Sequence, residues 1–463
     1  MSVVSRRIFL KQTAAVGAAT LIQASAKTTG AAENADVELY AGVAVREITP
    51  PMGAPLWGYS EGVRLADGVH DPLLAQALVF RCGTSSVALV TLDLGRVPRP
   101  ETCGRIREHV RSAGVQNVVF CASHTHSAPF MELPGLPYVE AVQNSICAAI
   151  LEAADAMRPA RIGVGHAEID IAHNRRVIRD GKCYMRWRNA ERVPTSPVDK
   201  EAGVIRIDGL SGEPIAALVH YACHPVILGP DSMGYSADWP GEMRRLVKAA
   251  TGAECLFLQG ACGDINPYLD KTPLAEGGLE AMRAEGGKAA EAVITAWKSI
   301  AASDAALASI VYEERSVPIG LRWDITDPSQ VEILKKVYGP MYDLYIGPLT
   351  ADFAVPLGVL VLNQTLALAF WPGEIFVQFQ RDLKTHSPLP HAFLCGFANE
   401  YHAYFPTVRD AALGGYGGIT PTYVGLGAGE KLLAESLVQI GRLAGRFPAL
   451  QSEDDLAVHD LPV

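Results

Sequence analysis

The chain has 463 residues, of which 49% are hydrophobic and 19% charged; that supplies apolar material for a large core and excludes wholesale disorder. At roughly 150 residues per domain, the length admits either one large domain with appendages or two domains. Fifty acidic against 40 basic residues leave a net charge of −10. Nucleic acid and anionic membrane surfaces are thereby excluded as main partners, because both demand concentrated Lys and Arg.

Paired arginines in Ser5-Arg6-Arg7-Ile8-Phe9-Leu10-Lys11 precede a short, mildly apolar stretch over 13–22 and then Ala24-Ser25-Ala26. That order has the form of a twin-arginine export signal ending in an A-x-A-like cleavage site. Some ten mildly apolar residues are too few to cross a ~30 Å hydrocarbon core, so no transmembrane span is expected. The expected organisation is a signal peptide over 1–26, a polar leader over 27–36 and one catalytic unit over 37–463, exported to the periplasm or secreted. Cleavage after Ala26 leaves 37 basic against 50 acidic residues, a net charge of −13. The nine cysteines include no C-x-x-C pair, which excludes a thiolate zinc knuckle. Most sit in apolar runs, where small buried residues are expected.

Beyond residue 37, continuous apolar runs at 87–94, 118–123, 215–222, 255–258, 359–370 and 392–398 predict buried strands. Helical periodicity appears over 101–113, 138–157, 240–251, 279–300 and 430–442. Strands alternating with helices predict an α/β fold with layered mixed β-sheets and flanking helices.

The residues able to do chemistry cluster where the apolar runs end, the usual place for binding groups in such folds. Ser123-His124-Thr125-His126-Ser127 follows the run at 118–123. In an extended segment positions i and i+2 face one side, so the two imidazoles are expected to converge. His224 closes the run at 215–222 and precedes a proline, whereas His220 lies inside that run and reads as a core histidine. Gly263-Asp264-Ile265-Asn266-Pro267 reads as a turn carrying polar side chains. Glu374, in Trp371-Pro372-Gly373-Glu374, is either an acid at the start of a helix over 375–383 or a ligand. Ala398-Asn399-Glu400-Tyr401-His402-Ala403-Tyr404, followed by Tyr416-Gly417-Gly418, suggests a site wall. Two histidines and a glutamate match the His₂Glu type of catalytic zinc site, whose metal acidifies water and polarises carbonyls. The residue types alone thus point to hydrolysis of an amide or ester.

At these positions the sequence resembles the catalytic N-terminal domain of the neutral/alkaline (non-lysosomal) ceramidase family. The likeness runs in order from the 41–50 segment through Gly58-Tyr59, Asp93, the H-T-H segment, Asn174-Arg175, His224-Pro225, Ser236-Ala237-Asp238, Gly263-Asp264 and Pro372-Gly373-Glu374 to the tyrosine-rich stretch. The resemblance implies a ceramidase-like fold and a Zn2+ held by His124, His224, Glu374 and Tyr404, with Tyr404 preferred over Tyr401. It also implies that His126 and Arg175 surround the substrate carbonyl and that Tyr416 is a second active-site tyrosine. The implied substrate is a small-molecule or lipid amide, such as an N-acyl sphingoid base.

The sequence departs from the family in three ways. Asn266 stands where the family carries a catalytic serine; an amide can donate a hydrogen bond to a carbonyl but is no nucleophile, so zinc-activated water is expected to attack. The immunoglobulin-like C-terminal domain of ceramidases is not expected here, and the glutamates that flank the second tyrosine in the family are replaced. Two competing readings are a metallo-esterase or phosphoesterase, whose bimetallic set would call for a Gly-Asn-His segment that the chain lacks, and an inactive metal-containing binding protein marked by Asn266.

Overall fold

In the computed structural model, residues 38–447 are described apart from 60–62, 134, 303–307 and 340. The expected signal peptide and leader therefore lie outside the described residues. The core of the fold is an eight-stranded mixed sheet. Its spatial order is Glu254–Gln259, Pro214–Tyr221, Glu201–Gly209, Arg158–Glu168, Leu39–Glu47, Leu74–Cys82, Ser85–Leu92 and Asn117–Ala122. The inner pairings are antiparallel, and only the outermost pair on each side is parallel. Each parallel pair is joined by a helical crossover, Pro100–Arg111 on one side and Trp239–Thr251 on the other, as parallel strands require.

A second sheet of four strands runs Ile310–Pro318, Ala354–Leu362, Leu366–Phe370 and His391–Cys395. Period-two alternation explains why the strand sequences read as unbroken apolar runs. Leu78, Phe80, Val87, Leu89 and Val119 pack with Leu360, Leu366, Leu368 and Phe393 in a layer between the two sheets. Their neighbours Ala77, Val79, Ala88, Val90 and Val118 face the opposite way, onto helices Val139–Asp155 and Pro100–Arg111 through Ile146, Ile150 and Ile106, while helix Gly278–Ser299 covers strands Arg158–Glu168 and Glu201–Gly209. On the far side, Val359, Val361, Ala367 and Ala369 meet Phe379, Leu383, Leu432 and Ile440 of helices Val377–His386 and Ala428–Leu443. The layers are thus helices, sheet, sheet, helices, in agreement with the α/β class, and strands sandwiched this way are apolar on both faces.

One expected strand is corrected. The run at 359–370 is a hairpin: Leu362 pairs with Leu366 across a turn in which Asn363 and Gln364 have φ of 51° and 53°. Asparagine tolerates that left-handed region, and the Asn363 side chain accepts the Ser309 N–H, so the reversal is fixed by polar residues inside an apolar stretch.

Candidate functional site

The exits of the strands from both sheets are tied together by backbone and amide hydrogen bonds. Ala122 N bonds Phe397 O, Gly396 N bonds Gln259 O, and Trp371 N bonds Cys395 O. The buried Gln259 side chain donates to Ser123 O and Cys223 O, joining the exits that precede His124 and His224. Residues far apart in the sequence therefore meet over one seam.

His124 and His126 do converge, with Nε2 atoms 3.4 Å apart, but not by strand alternation. His124 adopts a left-handed φ of 69° while its backbone N–H stays bonded to Leu94 O. His224 enters from the opposite side, its N–H and ring Nδ1 both bonded to Ile265 O at 3.0 Å. Glu374 comes from the segment just beyond strand Leu366–Phe370 of the second sheet. It lies in a two-residue strand, Glu374–Ile375, paired with Tyr404–Phe405. Its carboxylate does not cap the following helix. Asp264 takes that position by accepting Val377 N–H at 2.8 Å, and burial raises the Asp264 carboxyl to about 6. Glu374 Oε2 instead lies 3.2 Å from His224 Nε2 and 3.5 Å from His124 Nε2, while Oε1 accepts the Tyr401 hydroxyl at 2.5 Å.

The tautomers follow from the carbonyl partners. His124 Nδ1 is 2.6 Å from Gly95 O and His224 Nδ1 is 3.0 Å from Ile265 O, so both rings donate there, and in the neutral rings both Nε2 atoms are bare acceptors. Acceptors facing a carboxylate at these distances repel unless a cation lies between them. Burial, with Arg175 next, lowers the His224 imidazole to about 4, and burial pushes His126 well below the usual range, so neither of these two rings supplies that cation at neutral pH. Burial alone would raise the Glu374 carboxyl, but His124 and then His224 outweigh it and hold it well below the usual carboxylate range, the direction that positive charge at the two Nε2 positions imposes. The ligand atoms of His124, His126 and His224 lie within 4.8 Å of one another, close enough to share one metal ion.

Arg175 closes another side. Its Nη2 donates to Tyr404 OH at 3.1 Å and to Gly263 O at 2.6 Å, and its Nη1 donates to Asn266 Oδ1 at 3.1 Å. The short pairing of Ile265–Pro267 with Ala172–Asn174 brings Asn266 beside this arginine. Burial opposes its charge, but Tyr404, Tyr416 and Glu374 keep the guanidinium firmly protonated. The phenols of Tyr404 and Tyr416 stack edge to face, 5.4 Å between centroids. Asn266 is committed at both ends, since its Nδ2 donates to Asp270 Oδ2 at 2.8 Å. It braces Arg175 against Asp270. His220 is buried in its strand and bonded to Leu394 O at 2.9 Å, as expected of a core histidine.

Sequence reasoning missed several members. Tyr401 was set aside for Tyr404, yet it is the Glu374 partner. Trp57 packs edge-on against both His124 and His126 at 5.0 Å, and Phe397 stacks on His124 at 4.1 Å. Arg96, paired with buried Glu132 at 2.5 Å, lies over the Tyr401 ring at 5.0 Å. Gly58 carried a signal: its φ is +111° and any added Cβ would overlap the His126 ring, so this glycine is required where His126 packs.

The fold and parts of the sequence match known proteins. The model of the N-terminal region of neutral/alkaline non-lysosomal ceramidases matches residues 40–270. Neutral ceramidase A of Dictyostelium discoideum is 26% identical over 255 residues, 49% of this chain but only 35% of that protein. The crystal structure of the neutral ceramidase from Pseudomonas aeruginosa superposes with a TM-score of 0.70 at 18% identity, covering 90% of this chain and 76% of that one. A ceramidase complexed with C2 superposes at 0.68, also with 18% identity, over 90% and 77% of the respective chains. The two structures agree with the layered architecture described above. Residues 40–270 thus carry the N-terminal region of the neutral/alkaline non-lysosomal ceramidase family.

Proposed function

We propose that this chain is an exported zinc-dependent hydrolase that cleaves a linear amide bond, with an N-acyl amide as substrate. The observation that carries this reading is the set of bare acceptors, His124 Nε2, His224 Nε2 and Glu374 Oε2, facing one another in a buried site. His124, His224, Glu374 and Tyr404 would hold the ion, with His126 Nε2 also within reach. Bound there, zinc supplies Lewis acidity that activates water and polarises an amide carbonyl. Tyr401 fixes the Glu374 carboxylate through the 2.5 Å bond to Oε1. Arg175 keeps a buried Nε without a hydrogen-bond partner; aimed at a substrate carbonyl, such a donor stabilises developing negative charge. His126, neutral at physiological pH, accepts and returns a proton.

No serine stands at position 266, and Asn266 is bound to Arg175 and Asp270, so water is the nucleophile. Export rests on Arg6-Arg7 and Ala24-Ser25-Ala26, and cell fractionation after Arg6→Lys with Arg7→Lys tests it: retention of the protein in the cytoplasm is expected. The catalytic test is metal content alongside hydrolysis of an N-acyl amide panel, for the natural chain and Glu374→Ala. About one zinc per chain is expected, lost or greatly weakened in the variant together with hydrolysis. A metal-free natural protein with unchanged activity would sink the reading.

A further inference from the structure

The site wall holds a cation that the proposed chemistry does not use. Lys271 follows the Gly263–Asn266 turn, with its N–H bonded to Val226 O and that of Thr272 to Ile227 O, which ties it to the segment just after His224. Its φ is 51°. The left-handed region costs an ordinary L-residue about 1–2 kcal/mol and suits Gly or Asn better, so the backbone gains nothing from a lysine here. Its side chain runs between two aromatic rings, with Nζ 4.9 Å from the Trp187 centroid and 6.0 Å from that of Tyr59. The Tyr59 ring packs on His126 at 4.9 Å, and Trp187 covers the Arg175 guanidinium at 5.0 Å. The ammonium is thus one ring away from each of two groups of the reacting centre.

The charges are layered. Asp270 is fully buried and takes Lys271 Nζ on Oδ1 at 3.0 Å and on Oδ2 at 2.8 Å, whereas the lysine side chain is 35% exposed. The anion is buried and the cation partly exposed. Two of three ammonium N–H bonds are spent on Asp270, leaving one for a ligand. Asp270 also receives Asn266, which holds Arg175, which holds Tyr404, so a continuous chain of hydrogen bonds fixes Lys271 relative to the reacting centre. One remaining donor suits a monovalent oxyanion rather than a phosphate dianion.

We infer that Lys271 is a specificity-determining residue whose ammonium binds a carboxylate on the amine side of the scissile amide, so that the substrates are N-acyl amino acids. This rests on the amide-hydrolase reading above. The test compares N-dodecanoylglycine with N-dodecanoylethanolamine, which share the acyl chain and differ in carboxylate against hydroxymethyl. kcat and KM are measured with zinc-loaded natural protein, Lys271→Met and Lys271→Arg, and zinc content is measured as the check on folding. The natural protein is expected to favour the glycine conjugate by roughly tenfold or more in kcat/KM, the size of one charge-assisted contact. Lys271→Met should lose that preference through KM, and Lys271→Arg should keep most of it. An unchanged ratio in Lys271→Met, or preference of the natural protein for the ethanolamide, overturns the inference while leaving amide hydrolysis intact. Should neither conjugate be cleaved, the hydrolase reading fails, and calorimetric binding decides Lys271 separately. Selective binding of N-dodecanoylglycine that Lys271→Met abolishes supports the inference, and equal binding of both conjugates overturns it.

Discussion

Glu374→Gln isolates the electrostatics of the site, because it keeps the shape and removes one charge. In the natural protein Glu374 Oε2 faces two bare imidazole nitrogens at 3.2 and 3.5 Å. With a metal ion between them, a unit of charge at about 4 Å and an effective dielectric constant near 20 is worth on the order of 4 kcal/mol. Zinc affinity in the variant should therefore fall by about three decades. Without metal the order of stability should reverse. The glutamine amide can donate to His224 Nε2, turning two opposed acceptors into a hydrogen bond and removing an unmet buried group worth roughly 1–3 kcal/mol. The assay is chelator competition for zinc affinity together with thermal unfolding at pH 8 of both proteins, with zinc and after its removal. The metal-free variant is expected to melt a few degrees above the metal-free natural protein, and the zinc-loaded variant below its counterpart. If both proteins bind zinc equally, or if removing zinc leaves the natural protein the more stable of the two, the opposed-acceptor argument is wrong.

Tyr401→Phe removes the 2.5 Å hydrogen bond to Glu374 Oε1; loss of such a ligand-orienting partner should weaken zinc binding by about 10–100-fold in the same competition assay. Gly58→Ala forces a Cβ into the His126 ring and an unfavourable φ of +111°. It should cut kcat at least about tenfold with zinc retained, because a small displacement of a catalytic group is enough for that. His220 gives the pH dependence of folding. Burial holds its imidazole at about 4, against about 6.5 in an unfolded chain, so above pH 6.5 the stability is fully present. As pH falls from 6.5 through 4 the unfolded chain takes up a proton that the native one refuses, and roughly 3 kcal/mol is lost. Denaturant titrations across that window should show a shallower loss for His220→Leu than for the natural protein.

The legible part of the molecule was whatever one segment decides alone. The helices at 101–113 and 279–300 are found as Pro100–Arg111 and Gly278–Ser299, because a single amphipathic face sets them. The strand Ile310–Pro318 escaped notice: Glu313, Glu314 and Arg315 make an edge strand look like a polar loop. His124, His224 and Glu374 were legible as residues at the ends of apolar runs, whereas Tyr404 came only with the family resemblance. What they do there was less so. That His124 and His126 meet through a left-handed backbone depends on the bond from His124 N to Leu94 O, a contact 30 residues away that no local pattern shows. Tyr401 could not be ranked against Tyr404, because the choice is set by the parallel pairing of Glu374 with Tyr404. That pairing places the Tyr404 hydroxyl against Arg175 and leaves Tyr401 for the carboxylate.

Asn266 shows how one replaced side chain changes the task of its neighbours. A serine hydroxyl is too short to reach both Arg175 and Asp270, whereas the amide bonds the first through Oδ1 and the second through Nδ2. The amide therefore couples two charged groups, one beside Tyr404 and one beneath Lys271. Coupling has a direction that can be argued. Arg175 is buried, so the loss of its Asn266 acceptor leaves a charged donor unmatched, at a cost of roughly 1–3 kcal/mol. Lys271 is partly in water, and its pair with Asp270 loses less when Asn266 goes. Asn266 is here a strut between Arg175 and Asp270, and its first duty is to hold Arg175 on Tyr404.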